Sequence, residues 1–408
     1  MSLTSLDPVL PAVVGTDVRV PLANGTRVPY ANFDYAASAP CLRAVKDTLD
    51  AALPLYASVH RGAGRLSQLT TRAYEDARRT VHRFAGARPG DAVVFTRNTT
   101  DSMNLLASCV PLTTTVVVFE SEHHANLLPW LHRHFVVRLP MPASPFEAVN
   151  AAADALSPGG LLVVTAASNV TGELWPVHEL AAAAHARGAR IAVDAAQLAP
   201  HRPLDMSDVD YLAFSGHKLY APFGAGVLIG RGDWLRDADP YLRGGGASKL
   251  VGPDTVVWAS AAEERHEAGS PNVLGALAIA AACSTLSDAG WPALVASEER
   301  LLAYLRSGLS SVPGLRELSL WGPDSARVGI VSFAVEGWDA HLLAQALSDS
   351  YGIGVRDGKM CAHNLVRHLT GGTGDSIVRA SIGLGSTRAH IDRLVTALAD
   401  LATARAAA

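Results

Sequence analysis

The sequence predicts an α/β protein: a mostly parallel sheet of seven strands covered by helices, followed by a smaller α+β unit. Three observations carry this expectation. Between about residues 90 and 230, short β-branched apolar runs alternate with helical patterns, and strands buried on both faces read as continuous apolar stretches. Every such run is broken by Gly, Pro or charge long before it could span a bilayer. After about residue 285 the order changes to helix, strand, helix, two β-rich runs and a final helix.

The first unit reads in order as "AVVFT" from Ala92, "TVVVFE" from Thr115, "FVVRLP" from Phe135, "LLVVTAAS" from Leu161, "RIAVDAA" from Arg190, "YLAFSG" from Tyr211 and "GVLIGR" from Gly226. One intervening helix is well marked. Pro176 stands at its expected first position, Gly188 just past its end, and "VHELAAAAHAR" lies between. The second unit reads as helix in "EERLLAYLRSGL", strand in "RVGIVSFAV", helix in "AHLLAQALSD", strands in "GIGVRDG" and "SIVRASIGL", and a last helix with Ile391, Leu394, Val395, Leu398 and Leu401 on one face. The expected division is residues 30–284 for the large domain, with 1–29 and 285–408 forming the small one. No repeat, heptad or low-complexity segment interrupts it.

Composition narrows the class of ligand. The chain has 408 residues, 49% hydrophobic and 18% charged, enough for a sizeable core. A net charge of −4 without a basic run argues against nucleic acid or an anionic membrane surface as partner, so a small molecule is expected. The opening "MSLTSLDPVLPAVVG" lacks a secretory pattern, and Cys41, Cys109, Cys283 and Cys361 form no Cys-x-x-Cys pair, which together suit a reducing cytoplasm. Without secretion, the Asn-x-Thr triplets at Asn24, Asn98 and Asn169 carry no glycosylation meaning.

In open parallel sheets ligands bind beyond the carboxyl ends of the strands. Five runs here end in reactive or hydrogen-bonding residues. "AVVFT" leads to Thr99 and Thr100, opening a helix whose free amides suit an anion. "TVVVFE" leads to His123 and His124, "LLVVTAAS" to Asn169, "RIAV" to Asp194 and Gln197, and "YLAF" to Ser215, His217 and Lys218. Lys218 is followed at once by apolar residues and glycines, a setting that disfavours its charged form.

Singly, Asp194 reads equally as a helix cap, the two threonines as a capping pair, and Lys218 as a lysine snorkelling from a strand end. Jointly, they are the parts that pyridoxal 5′-phosphate requires. A neutral lysine forms a Schiff base with the aldehyde, a carboxylate keeps the ring nitrogen protonated, and amides and hydroxyls hold the phosphate. Adjacent His123 and His124 with no third ligand do not make a metal site, so none is expected. The "GAGVLIG" stretch leads into a strand, unlike a dinucleotide fingerprint, and is expected to give close packing beside the cofactor.

These residues, with "NFDYAASAP", "EHHANLLPW", "EAGSPNVLGA", "VRDGKMCAH" and "VRASIGLGST", resemble the class V aminotransferase superfamily and, within it, the cysteine desulfurase and selenocysteine lyase group. The resemblance runs from Asn32 to the final helix. It implies the aminotransferase-like fold type I of pyridoxal phosphate enzymes, and a homodimer. By motif, Lys218 matches the Schiff-base lysine, Asp194 the partner of the ring nitrogen, Gln197 the residue bonding the ring oxygen, and His123 the imidazole stacked on the ring. Thr99, Thr100, Ser215 and His217 match phosphate ligands. Ser270 matches a hydroxyl that reaches the phosphate across a dimer interface, and Asn169 a contact to cofactor and substrate. Arg379 matches the clamp on the substrate carboxylate, with Arg356 beside it, and Cys361 falls where desulfurases keep their nucleophile.

The reaction so implied is release of alanine from L-cysteine, with sulfur passing through a Cys361 persulfide to an acceptor protein. A C–S lyase acting by β-elimination, or an epimerase or aminotransferase with Cys361 idle, stays open as the alternative. The chain departs from the group where Arg-x-Gly-His-His-Cys is usual: it reads Arg356-Asp357-Gly358-Lys359-Met360-Cys361, and "GGTGDS" before Arg379 looks like a small insertion. Lys359 is expected to favour the thiolate, and Cys361 to sit on a loop.

Overall fold

The computed structural model describes residues 10–372, 374 and 376–406. The first nine residues, and Thr373 and Asp375 of the apparent insertion, lie outside them.

The seven apolar runs of the first unit form one seven-stranded sheet. Its order is Ala92–Thr96, Gly226–Gly230, Tyr211–Ser215, Arg190–Asp194, Leu161–Thr165, Thr115–Phe119, Phe135–Leu139. Six strands point the same way and Gly226–Gly230 runs against them. The interior strands are buried on both faces, which is why their sequences are continuous apolar runs without alternation.

Register aligns the strand ends. Thr165 lies opposite Asp194, Asp194 opposite Ala213, and Gly226 opposite both Ser215 and Thr96. The polar residues that follow four of these strands therefore leave the sheet at one edge, and the turn bearing Lys218 crosses that same edge. Helices cover both faces, among them Val177–Ala186, Pro145–Ala155 and Val273–Ala289 on one side and Thr99–Cys109 on the other.

The second unit has a four-stranded antiparallel sheet ordered Leu315–Leu318, Ile330–Val335, Ile377–Ser381, Arg356–Gly358. Arg356 lies directly opposite Arg379, which places the two side chains on one face. The helices Trp291–Ser310, Ala340–Tyr351 and Arg388–Ala406 complete a separate core around Phe333, Leu305 and Leu394.

Local boundaries move for identifiable reasons. Pro176 is the N-cap of Val177–Ala186, one place earlier than expected, because its ψ of 67° is not helical; Gly188 ends that helix at a positive φ of 67°. The run "GIGVRDG" divides into Ile353–Gly354 and Arg356–Gly358, which belong to different sheets. Ile353–Gly354 pairs with Ala31–Asn32, so Ala31 and Phe33 pack in the core of the second unit although an N-terminal boundary at residue 30 would assign them to the first. The 284/285 boundary falls inside Val273–Ala289, a helix whose buried side chains pack on the large-sheet core. Among the described residues no single helix is long and apolar enough to cross a membrane.

Candidate functional site

A cavity of about 250 Å³ opens between the carboxyl edge of the large sheet and the second unit. It is lined by Thr99, Thr100, His123, Asn169, Asp194, Gln197, Ser215, His217 and Lys218 from the first unit, and by Arg356, Cys361 and Arg379 from the second. Of the residues expected from sequence only Ser270 is elsewhere. It is exposed, just before Val273–Ala289, and does not reach the cavity within one chain.

Local structure explains how the first unit supplies its part. Asn98 caps Thr99–Cys109 by accepting from the Asp101 amide, and Ser215 Oγ accepts from the Thr99 amide at 2.8 Å. That leaves the Thr100 amide, which has no intrahelical acceptor, to an outside one at the positive end of the helix. The approach of this helix to the sheet depends on Gly226, since a Cβ there would lie 2.5 Å from Asn98 Cα. Gly216 is constrained in the same way: a Cβ would meet Ile279 at 2.8 Å and the Ala221 carbonyl at 2.9 Å. The glycines around Lys218 thus allow close packing beside the cavity.

Electrostatics follow from burial. Lys218 is only partly buried by area because it opens into the cavity, yet desolvation brings its amine down to about 8, with Arg379 adding to the fall and Asp194 and Cys361 opposing it. Asp194 is 5% exposed and accepts from the Ala196 amide; burial raises its carboxyl despite the nearby lysine. His123 is held at about 3, chiefly by burial and then by Lys218. It is neutral, and its Nδ1 accepts from the Ala125 amide at 3.0 Å, so the proton is on Nε2. Burial likewise takes His217 to about 4.

Arg379 donates to the Asn169 carbonyl at 2.8 Å and to Asp34 at 3.1 Å, while its Nε–H is buried with no acceptor among the described residues. Gln197 donates to the Ala36 carbonyl, and its own Oε1 is buried without a partner among the described residues. Unsatisfied buried groups of this kind mark places where a ligand completes the hydrogen bonding.

Cys361 is exposed at the mouth of the cavity, on the loop between Arg356–Gly358 and His363–Leu369. Met360 and Cys361 both adopt φ 52°, a left-handed conformation that costs a non-glycine residue roughly 1–3 kcal/mol. The loop is tied to the first unit by Asn169 Nδ2 donating to the Met360 carbonyl at 2.7 Å and the His124 amide donating to the Cys361 carbonyl at 2.8 Å.

Three contributors were not singled out from sequence. Asn98 lines the cavity and caps its helix; an Asn immediately before Thr-Thr-Asp was a readable cap signal. Asp34, within "NFDYAASAP", holds Arg379, a pairing over 345 positions with no local signature. Glu122, raised to about 8 by burial, accepts from Asn126 and the Thr165 amide and so fixes the base of the His123 turn. The chemistry supported by the whole is an amine of lowered basicity beside a buried carboxylate, an anion cradle, a carboxylate-binding guanidinium and an accessible thiol.

Comparison with known proteins agrees with this geometry. The profile of the family described as aminotransferase class-V matches residues 31–394. A cysteine desulfurase of Dickeya dadantii is 38% identical over 384 residues, 91% of each chain, and one of Pectobacterium atrosepticum is 36% identical over 84% of this chain and 86% of its own. Among solved structures, the Escherichia coli cysteine desulfurase CsdA, in an S-sulfonic acid form, superposes with a TM-score of 0.80 at 33% identity, covering 92% of this chain and 95% of that one. The apo cysteine desulfurase of Thermococcus onnurineus NA1 superposes at 0.83 and 30% identity with the same coverage.

Proposed function

The chain belongs to the class-V aminotransferase family, whose members are in general pyridoxal phosphate enzymes, and from that premise we propose that it is a cysteine desulfurase. The observation that carries the reading is the exposed thiol of Cys361 at the mouth of the cavity that also holds Lys218, Asp194 and Arg379. The donor set fits the cofactor: the orphaned Gln197 Oε1, the Thr100 amide and the buried Asp194 carboxylate correspond to a ring hydroxyl, a phosphate and a protonated ring nitrogen.

When bound, pyridoxal phosphate supplies an electron sink that acidifies the Cα–H of an amino acid. Lys218, neutral from about pH 8 upward, holds the cofactor aldehyde and then moves the Cα proton on Nζ. Asp194 holds the proton of the ring nitrogen. His123, neutral throughout, offers a flat ring as a stacking surface. Thr99, Ser215 and His217 complete the anion cradle with Thr100. Arg379, through its free Nε–H, and Arg356 orient the substrate carboxylate.

The Cys361 thiolate attacks the sulfur of L-cysteine. A sulfur–sulfur bond forms on Cys361 and the carbon–sulfur bond breaks, its electron pair staying with Cβ and ending, after protonation, as a C–H bond of alanine. The persulfide must then be discharged to an acceptor thiol. We also propose a homodimer, in which Ser270 of a second copy completes the anion cradle; Leu250 and Val251, on the hairpin of strands Ser248–Val251 and Val256–Trp258, are 60% and 67% exposed, as an uncovered interface would be.

Mass spectrometry of the protein after incubation with L-cysteine tests the reading. One additional sulfur on Cys361 and equimolar alanine are expected, with Cys361→Ser yielding neither while keeping the cofactor. Pyruvate and ammonia without sulfur on Cys361 would establish the elimination reaction instead.

A further inference from the structure

The departure from the usual motif, Lys359-Met360 before Cys361, leaves open what orients the thiol. We propose that Met360 is the positioning residue of the Cys361 loop: its buried side chain pins the loop to a cluster that bridges both units, and so fixes where the thiol is presented. This rests on the desulfurase reading for its kinetic consequence only.

Met360 is 8% exposed and packs in a small apolar cluster with Val170, Leu318, Leu365, Val366 and Ile377. Val170 follows Asn169 at the carboxyl edge of the large sheet, whereas the other four come from the second unit, so one side chain lies where the two units meet. Its carbonyl is taken by Asn169, and the next carbonyl, that of Cys361, by the His124 amide. The Ala362 amide closes a turn onto the Lys359 carbonyl at 2.9 Å.

Two successive non-glycine residues at φ 52° persist only where the surroundings over-determine them. Three hydrogen bonds to carbonyls of a solvent-facing loop are a modest restraint, because water competes for each of them. The apolar anchor is what water cannot replace. An imidazole at this position would bring a polar tip into the cluster; the thioether fills it without one. Met360 is also among the residues that line the cavity, so the anchored residue adjoins the site.

The experiment compares Met360→Ala with Met360→Leu in protein loaded with pyridoxal phosphate. Hydrogen exchange at the His124 and Ala362 amides should accelerate about tenfold or more in Met360→Ala, with the strand Ile377–Ser381 unaffected, and return to the wild-type rate in Met360→Leu. Alanine release should fall in kcat by up to about a hundredfold in the alanine variant, the scale of an ångström misplacement, with KM for L-cysteine and the visible spectrum of the cofactor unchanged and leucine restoring the rate. Unchanged exchange at both amides in Met360→Ala overturns the proposal, as does loss of rate in Met360→Leu equal to that in alanine.

The unsubstituted protein provides a check independent of any variant's folding: its His124 and Ala362 amides should exchange at least about a hundredfold slower than an unstructured chain, and exchange at the unstructured rate overturns the proposal. Exchange is read without L-cysteine. A wild-type protein that never takes sulfur on Cys361 would therefore overturn the desulfurase reading and leave this one standing.

Discussion

The cradle at the edge of the large sheet and the loop bearing Cys361 line the same cavity by different means. In the cradle, Thr99, Asp194, Gln197 and Ser215 are each 5% exposed or less and sit within a few residues of a strand or helix end. Their positions follow from register. The loop has an exposed thiol, two left-handed residues and restraints several of which come from distant parts of the chain, among them Asn169 and His124. On the proposed reading, the cofactor is held by rigid elements, while the sulfur-carrying group stands on a loop. A thiol that meets both a buried substrate and an external acceptor, as proposed for Cys361, needs that arrangement.

If this contrast is right, substitutions in the cradle and at its seam with the second unit separate. Lys218→Ala should have the largest effect: the visible absorbance of the bound cofactor disappears and turnover falls by at least about a thousandfold, while circular dichroism stays native. Wild-type absorbance in that variant would break the comparison at its base. Asp194→Asn is expected to keep cofactor in the cavity yet lose about a hundred- to a thousandfold in kcat, because the ring nitrogen loses its anionic partner; steady-state kinetics at saturating cofactor measures this.

Asp34→Asn probes the seam. Arg379 donates to Asp34 and burial disfavours the charge of both groups, so removing the anion should leave a mobile guanidinium and raise KM for L-cysteine about tenfold with less change in kcat. A fall in kcat alone would place Asp34 in the chemistry instead.

The smallest effect is a titration. With its amine at about 8, Lys218 in the apoprotein should react with pyridoxal phosphate at a rate that rises about tenfold per pH unit below pH 8 and levels off above it. The sign is fixed by which form reacts: the neutral amine is the minor species below that pH. Arg379 disfavours the lysine cation and Asp194 favours it, so Arg379→Met should move the midpoint up and Asp194→Asn should move it down. Stopped-flow absorbance across pH 6 to about 10 reads all three proteins.

The legibility of the site follows the same division. Continuous apolar runs are local properties of a chain, so the seven strands, their succession along the sequence and the polar residues after each are legible in the residues alone. Lys218, Asp194 and the threonines are legible because each lies at the end of such a run or just beyond it. Arg379 is found by motif, but its partner Asp34 is not, since a contact across 345 positions leaves no periodic trace.

By itself, then, the sequence determined the α/β class, the sheet and the set of groups gathered at its carboxyl edge. Tertiary structure decided where the units divide, because Ala31 and Phe33 join the second core through a two-residue strand too short to carry a pattern. It also decided that Arg356 stands opposite Arg379, that Ser270 lies away from the cavity of its own chain, and that Met360 is an apolar anchor rather than a missing histidine. Each of these depends on which distant surfaces meet, and hydrophobic burial, being non-directional, does not record its partner in the local order of residues.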